Sequence, residues 1–242
     1  MSLNTAIITL AVRDDRYRKC ADFLEQTIKE HNPEYDFFVY SDCPRRLERR
    51  ENYYDIKEVT DMKLTSVSVN VFNFNLKPVI FNYFYNKHTA YEKVVFLDAD
   101  AFFSKKNIFI KEHTKELDFY FINHNNYTYK ALGGTQKDKF EKLITKLELD
   151  KSYFEKPLRR GIETVFIVNR SNKVKRFLES WVDISKKAIE ANILAPYEFM
   201  ELSIALDMHP DITFGNLSLA TTKKDTSIKL VHKNNVIDLI GR

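Results

Sequence analysis

Apolar and polar positions along the chain fall into two periods, and their alternation lays out an α/β protein. Residues 6–12 are apolar apart from Thr9 and read as a buried first strand. Beyond it Tyr17, Cys20, Ala21, Leu24 and Ile28 recur at three- and four-residue spacing, which predicts an amphipathic helix that His31-Asn32-Pro33 stops. A second run at 36–40, closing on Ser41-Asp42, predicts a second strand. Strand, helix and strand in such short order open an α/β sheet of the nucleotide-binding type. Residues 56–59 read as a short third strand. Lys77-Pro78 places proline in the first turn of a helix carrying Val79, Ile80 and Phe84, and this helix leads into a four-residue apolar strand at 94–97. Further strands are expected at 118–123, 164–169 and 228–231, and helices at 137–147, 171–192 and 197–207.

Composition narrows the function classes. The 242 residues carry a net charge of +4, which favours anionic ligands and is too small to indicate nucleic acid. Arg45, Arg46, Arg49 and Arg50 cluster as a solvated helix face would. Only 5 glycines are present, and neither G-x-G-x-x-G nor G-x-x-x-x-G-K-[ST] occurs, so a glycine-rich phosphate loop is excluded. Cys20 and Cys43 have neither metal spacing nor a disulfide framework, which points to a reducing, cytoplasmic setting. The first apolar run meets Arg13, Asp14 and Asp15 at once, unlike a signal peptide, and no run is long enough to cross a bilayer. Without repeats or linkers, residues 1–242 read as one domain.

The candidate chemistry lies at the end of the 94–97 strand, in Asp98-Ala99-Asp100. In extended chain two carboxylates two residues apart point to one side, roughly 6.6 Å apart. Such a pair repels unless a cation lies between, and oxygen ligands suit Mg²⁺ or Mn²⁺. Ala99 leaves room beside a metal, and the carboxyl end of a strand is where open α/β sheets bind ligands. The plainer alternative is that both aspartates cap the following segment.

In their order these landmarks resemble the nucleotide-sugar-dependent glycosyltransferases of the GT-A fold, and within it the family 8-like galactosyl- and glucosyltransferases. The carriers are Ile7 to Val12 followed by Arg13-Asp14-Asp15-Arg16-Tyr17, then Asn75-Leu76-Lys77, then Phe96-Leu97-Asp98-Ala99-Asp100. Downstream come Ile162-Glu163-Thr164-Val165-Phe166-Ile167-Val168-Asn169, Tyr197-Glu198 and Leu230-Val231-His232-Lys233. The resemblance implies an α/β, Rossmann-like GT-A domain with a mixed, mainly parallel sheet flanked by helices. Residues up to about 103 would hold the donor and the rest the acceptor side.

The same resemblance implies a metal-dependent transfer of a hexose from a nucleotide-diphosphate sugar, a UDP-sugar, with retention of configuration. The acceptor would be a saccharide, lipid-linked or not, or another hydroxyl compound, with peripheral membrane contact as one option. The backbone around Leu10, Ala11 and Val12 and the side chains of Asp14 and Tyr17 would meet the nucleobase, and Lys77, Asp98, Ala99, Glu163 and Lys233 other parts of the donor. Asp98, Asp100 and His232 would hold Mn²⁺ or Mg²⁺, and Glu198 would face the reacting carbon. Two departures stand out: Glu163 replaces an Asn or Asp, and Asn234-Asn235 replaces a glycine-rich phosphate segment. A haloacid-dehalogenase-like phosphohydrolase would use the same acid pair, but on its first strand, whereas three predicted strands precede the one that ends at Asp98. A non-catalytic nucleotide-sugar-binding module is the remaining alternative.

Overall fold

The computed structural model of the chain describes residues 4–12, 15–42, 51–59, 74–106, 110, 116–193, 198–216 and 228–230. Its strands are β1 (Thr5–Ala11), β2 (Asp36–Ser41), β3 (Tyr53–Asp55), β4 (Lys93–Leu97), β5 (Ala101–Phe103), β6 (Phe119–Tyr127), β7 (Leu158–Asn169), β8 (Phe214–Asn216) and β9 (Ile228–Leu230). Its α-helices are α1 (Asp15–His31), α2 (Lys77–Lys87), α3 (Gly134–Lys146), α4 (Asn172–Glu190) and α5 (Glu198–Met208).

Seven strands form one sheet in the order β3-β2-β1-β4-β7-β6-β8, and β5 pairs with β9 in a separate two-stranded sheet. Four neighbouring pairs in the large sheet are parallel and the two involving β7 are antiparallel. The expected mixed, mainly parallel α/β sheet is therefore present. β1 and β4 are buried along their whole length, as strands covered on both faces must be. One apolar core lies under α2, α3, α4 and α5. Its centre is an aromatic nest in which Phe166 meets Trp181 edge-on at 5.4 Å and Phe119 meets Phe177 at 5.3 Å. The other core lies between the sheet, α1 and β5.

Some boundaries differ from the sequence expectation for identifiable reasons. The third strand is Tyr53–Asp55 and not 56–59, because Asp55 accepts a hydrogen bond from the Lys57 N–H and caps a 3-10 turn over Ile56–Glu58. β7 and β6 pair well beyond their apolar stretches, Tyr127 opposite Leu158, with register shifts at Phe121/Ile122 and Asn123/Asn125. Backbone pairing continues there through polar residues that carry no periodic signal. The 45–50 arginine cluster lies outside the described residues. Among the described residues no helix is long and apolar enough to cross a membrane.

The placement of α2 matters most for the site. Arg170, just past β7, donates to the carbonyls of Tyr85 (2.6 Å), His88 (2.9 Å) and Tyr91 (2.6 Å), and its guanidinium lies over the Tyr85 ring at 4.1 Å. The Tyr85 hydroxyl donates to the Ser171 carbonyl and accepts from the Ser171 N–H. Carbonyls at a helix C-terminus lack intrahelical partners and attract cations, so one arginine fastens this end of α2 to the β7–α4 junction. The other end, beginning at Lys77, is thereby held at the carboxyl edge of the sheet.

At the far side of the sheet Asp118 ties β6 to β8 and α4. It accepts from the Thr213 N–H (2.9 Å) and hydroxyl (2.6 Å) and pairs with Lys173 at 2.6 Å. Burial pushes this carboxyl up, but the Lys173 and Thr213 hydrogen bonds outweigh burial and hold it below its ordinary value. A folded value below the unfolded one, near ~3.9, means that the native state binds fewer protons. The contribution is complete above that pH and is lost as pH falls through the folded value. Urea unfolding should therefore show stability dropping below about pH 4, and Asp118→Asn should flatten that part of the profile while lowering stability at pH 7. Parallel profiles for the two proteins would contradict this account.

Candidate active site

β1 and β4 lie side by side and parallel, yet the chain leaves them towards opposite sides of the sheet, from β1 to β2 and from β4, by way of β5, to β6 and β7. Such a switch point opens a crevice beyond the carboxyl ends of the two strands. In the register Ile8 stands opposite Phe96, so Thr9 and Leu10 flank the end of β4. The fully buried Thr9 hydroxyl donates to the Leu97 carbonyl at 2.7 Å. That bond fixes the last residue of β4 before the chain departs.

The acid pair then occupies a turn and not the extended strand expected from sequence. The Ala101 N–H donates to the Asp98 carbonyl at 3.0 Å, closing Asp98-Ala99-Asp100-Ala101 into a tight turn whose first position favours aspartate. The turn redirects the chain from the large sheet into β5. The two-residue pleat and its spacing therefore do not apply. Both aspartates nonetheless line one cavity of about 170 Å³, together with Leu10, Val12, Tyr17, Lys77 and Ala99.

Four elements supply this lining. Leu10 and Val12 come from the end of β1, whose pleat turns Ala11 to the opposite face against α1. The Ala11 side chain is not among the residues that line the cavity. Tyr17 comes from the first turn of α1. Lys77 opens α2, where it is only 5% exposed, and its Nζ lies 3.0 Å from Asp98 Oδ1 and 5.4 Å from the centre of the Phe96 ring. An ammonium is disfavoured both by burial and by the positive end of a helix dipole, and the first turn of α2 contains no acid. Asp98 compensates for both.

The remaining candidates are placed less completely. Glu163 lies within β7 and Glu198 is the first residue of α5, and their side chains are outside the described residues. Asp14, His232 and Lys233 also lie outside them. β9 ends with Leu230 opposite Ala101, the residue that closes the acid turn. Thr9 is not singled out by the sequence pattern. A lone hydroxyl inside an apolar strand is its only signal.

Chemically, the cavity offers two carboxylates, one ammonium and an apolar wall. Among the described residues no group of three or more His, Cys, Asp and Glu side chains gathers to hold a metal. Two carboxylates suffice for a hard cation when ligand phosphates and water fill the other positions, so the donor set fits Mg²⁺ or Mn²⁺ shared with a phosphorylated ligand. The volume is below the roughly 300–1,000 Å³ of a complete small-molecule site, which suits one part of a larger ligand.

No protein-family model matches the chain, and no curated protein does. Among solved structures it is similar to a glycosyltransferase involved in the glycosylation of the major capsid of PBCV-1. That pair shares 11% identity over 89% of this chain and 81% of the other, with a TM-score of 0.48. The likeness is too slight to assign an activity.

Because Thr9 holds the end of β4, Thr9→Val keeps the strand's shape and leaves the buried Leu97 carbonyl without this donor. A loss of about 1–2 kcal/mol in urea unfolding is expected. An unchanged midpoint would show that the hydroxyl is dispensable.

Proposed function

We propose that this protein is a metal-dependent glycosyltransferase of the GT-A kind. It transfers a hexose from a nucleotide-diphosphate sugar, a UDP-sugar, to a hydroxyl of a saccharide acceptor. The observation that carries this reading is the meeting of Lys77 and the Asp98–Asp100 turn in one cavity at the switch point between β1 and β4. Leu10, Val12 and Tyr17 give that cavity an apolar flank of the kind a nucleobase or ribose packs against.

Breaking the bond between a sugar and a diphosphate builds negative charge on the departing phosphate. Preorganised cations stabilise that charge most where water is excluded, and Lys77 is such a cation, buried and held in place by Asp98. A divalent ion on Asp98 and Asp100 would add Lewis-acid stabilisation of the same oxygens. Asp98 therefore has two duties, orienting Lys77 and contributing to the cation site. His232 and Lys233 would join from the segment that follows β9.

Ligand-induced stabilisation tests the reading. UDP at ~100 times its dissociation constant should raise the unfolding free energy by about 2.7 kcal/mol when Mn²⁺ is present. Chelation should remove most of that shift, and Asp100→Asn should behave like chelation with its fold intact. Equal UDP affinity in Asp100→Asn and wild type would refute the metal assignment. Release of phosphate from simple phosphoesters, with no response to nucleotide, would instead favour a phosphohydrolase.

A second test separates the two partners of Asp98. Lys77 already neutralises this carboxylate, so Lys77→Met should raise Mn²⁺ affinity in the absence of nucleotide, by about tenfold, while weakening UDP binding. Mn²⁺ affinity that falls or stays level, measured by titration calorimetry, would show that Asp98 does not contribute to the cation site.

A further inference from the structure

A buried carboxylate outside the cavity is not used by the chemistry described above. Glu201, one turn into α5, is 1% exposed. One of its oxygens accepts from the side-chain amide of Asn75 and the other from the Ser185 hydroxyl of α4. Asn75 and Glu201 lie 126 positions apart in sequence and are both buried. Asn75 is the middle residue of the 3-10 turn Phe74–Leu76, which runs directly into Lys77.

An apolar side chain of similar volume would fill the same space without the penalty of burying a carboxylate. What such a side chain could not do is hold Asn75. A carboxylate accepts and does not donate when ionised, so it selects one orientation of the Asn75 amide. In that orientation the buried Asn75 Oδ1 has no hydrogen-bond partner among the described residues. The amide is thus oriented by Glu201 and not by a balanced set of partners.

We propose that Glu201 is a positioning residue for Lys77. It fixes the turn at residues 74–76 and so sets where the first residue of α2 enters the cavity, while Arg170 fixes the other end of the helix. The duty assigned to Lys77 rests on the glycosyl-transfer reading, whereas its placement by Glu201 does not.

Rates of amine acetylation, followed lysine by lysine by mass spectrometry, test the placement without any ligand. Lys93 is the internal control. It is fully buried in β4, donates to the Ile110 carbonyl at 2.7 Å, and becomes reactive only when the sheet opens. Glu201→Leu keeps apolar volume and removes the acceptor, and Asn75→Ala removes the donor with less disturbance should the leucine variant fail to fold. Glu201→Gln retains an acceptor for Asn75. In the first two variants Lys77 should react roughly tenfold faster while Lys93 stays protected, and Glu201→Gln should restore slow labelling. Unchanged Lys77 labelling in Asn75→Ala, or a parallel rise at Lys77 and Lys93, would overturn the proposal by making Glu201 merely structural. UDP affinity in the presence of Mn²⁺ should fall in the same variants that expose Lys77. Wild-type protein that binds no UDP would refute the glycosyl-transfer reading and leave the labelling result for Glu201 intact.

Discussion

A lysine buried at the start of a helix is a charge placed where both solvation and the helix field oppose it, and it stays there only if an anion meets it. In this protein that anion is Asp98, and much of the architecture holds the pair within contact distance. β1 lies beside β4 and fixes Leu97 through Thr9, so the turn that carries Asp98 starts from a constrained point. Arg170 fastens the far end of α2 through three carbonyls, which limits how the helix can carry Lys77 relative to the sheet. Removing either partner alone takes this counterion from a partly desolvated charge, a larger loss than the pair's net contribution to stability.

The sheet and its neighbourhood set the chemistry through geometry. Parallel β1 and β4 bring two carboxyl ends to one edge of the sheet, and the change of direction between them leaves a gap that side chains line without filling. Residues that a strand's pleat turns to opposite faces, such as Leu10 and Ala11, therefore have different fates. The first borders the gap and the second packs under α1.

Much of this was legible in the sequence where the signal was local. The β1 run, the start of α2 at Lys77-Pro78 and the apolar strand before Asp98 each depend on residues close in the chain, and all three are present. Every described residue lining the cavity was among the candidates read from the sequence. What local pattern could not show was the path of the backbone after Leu97. An extended continuation and a tight turn place the same three residues in different geometry, and the choice is tied to pairing with β9, far downstream. Glu201 was hidden for a related reason. A glutamate in an apolar helix looks like a solvated position until the amide that it meets arrives from a distant segment.

The pairing of β5 with β9 also has a consequence in time. β5 follows the acid turn directly, and its partner in the small sheet is made from residues 228–230. At about 5–20 residues per second, the ribosome produces that partner roughly 6–25 s after β5 itself. Over that interval the nascent chain has residues 98–103 but lacks the strand that pairs with β5. Synthesis order therefore makes the completed site a late event, and a chain interrupted before β9 would carry Asp98 and Asp100 on an unfinished edge.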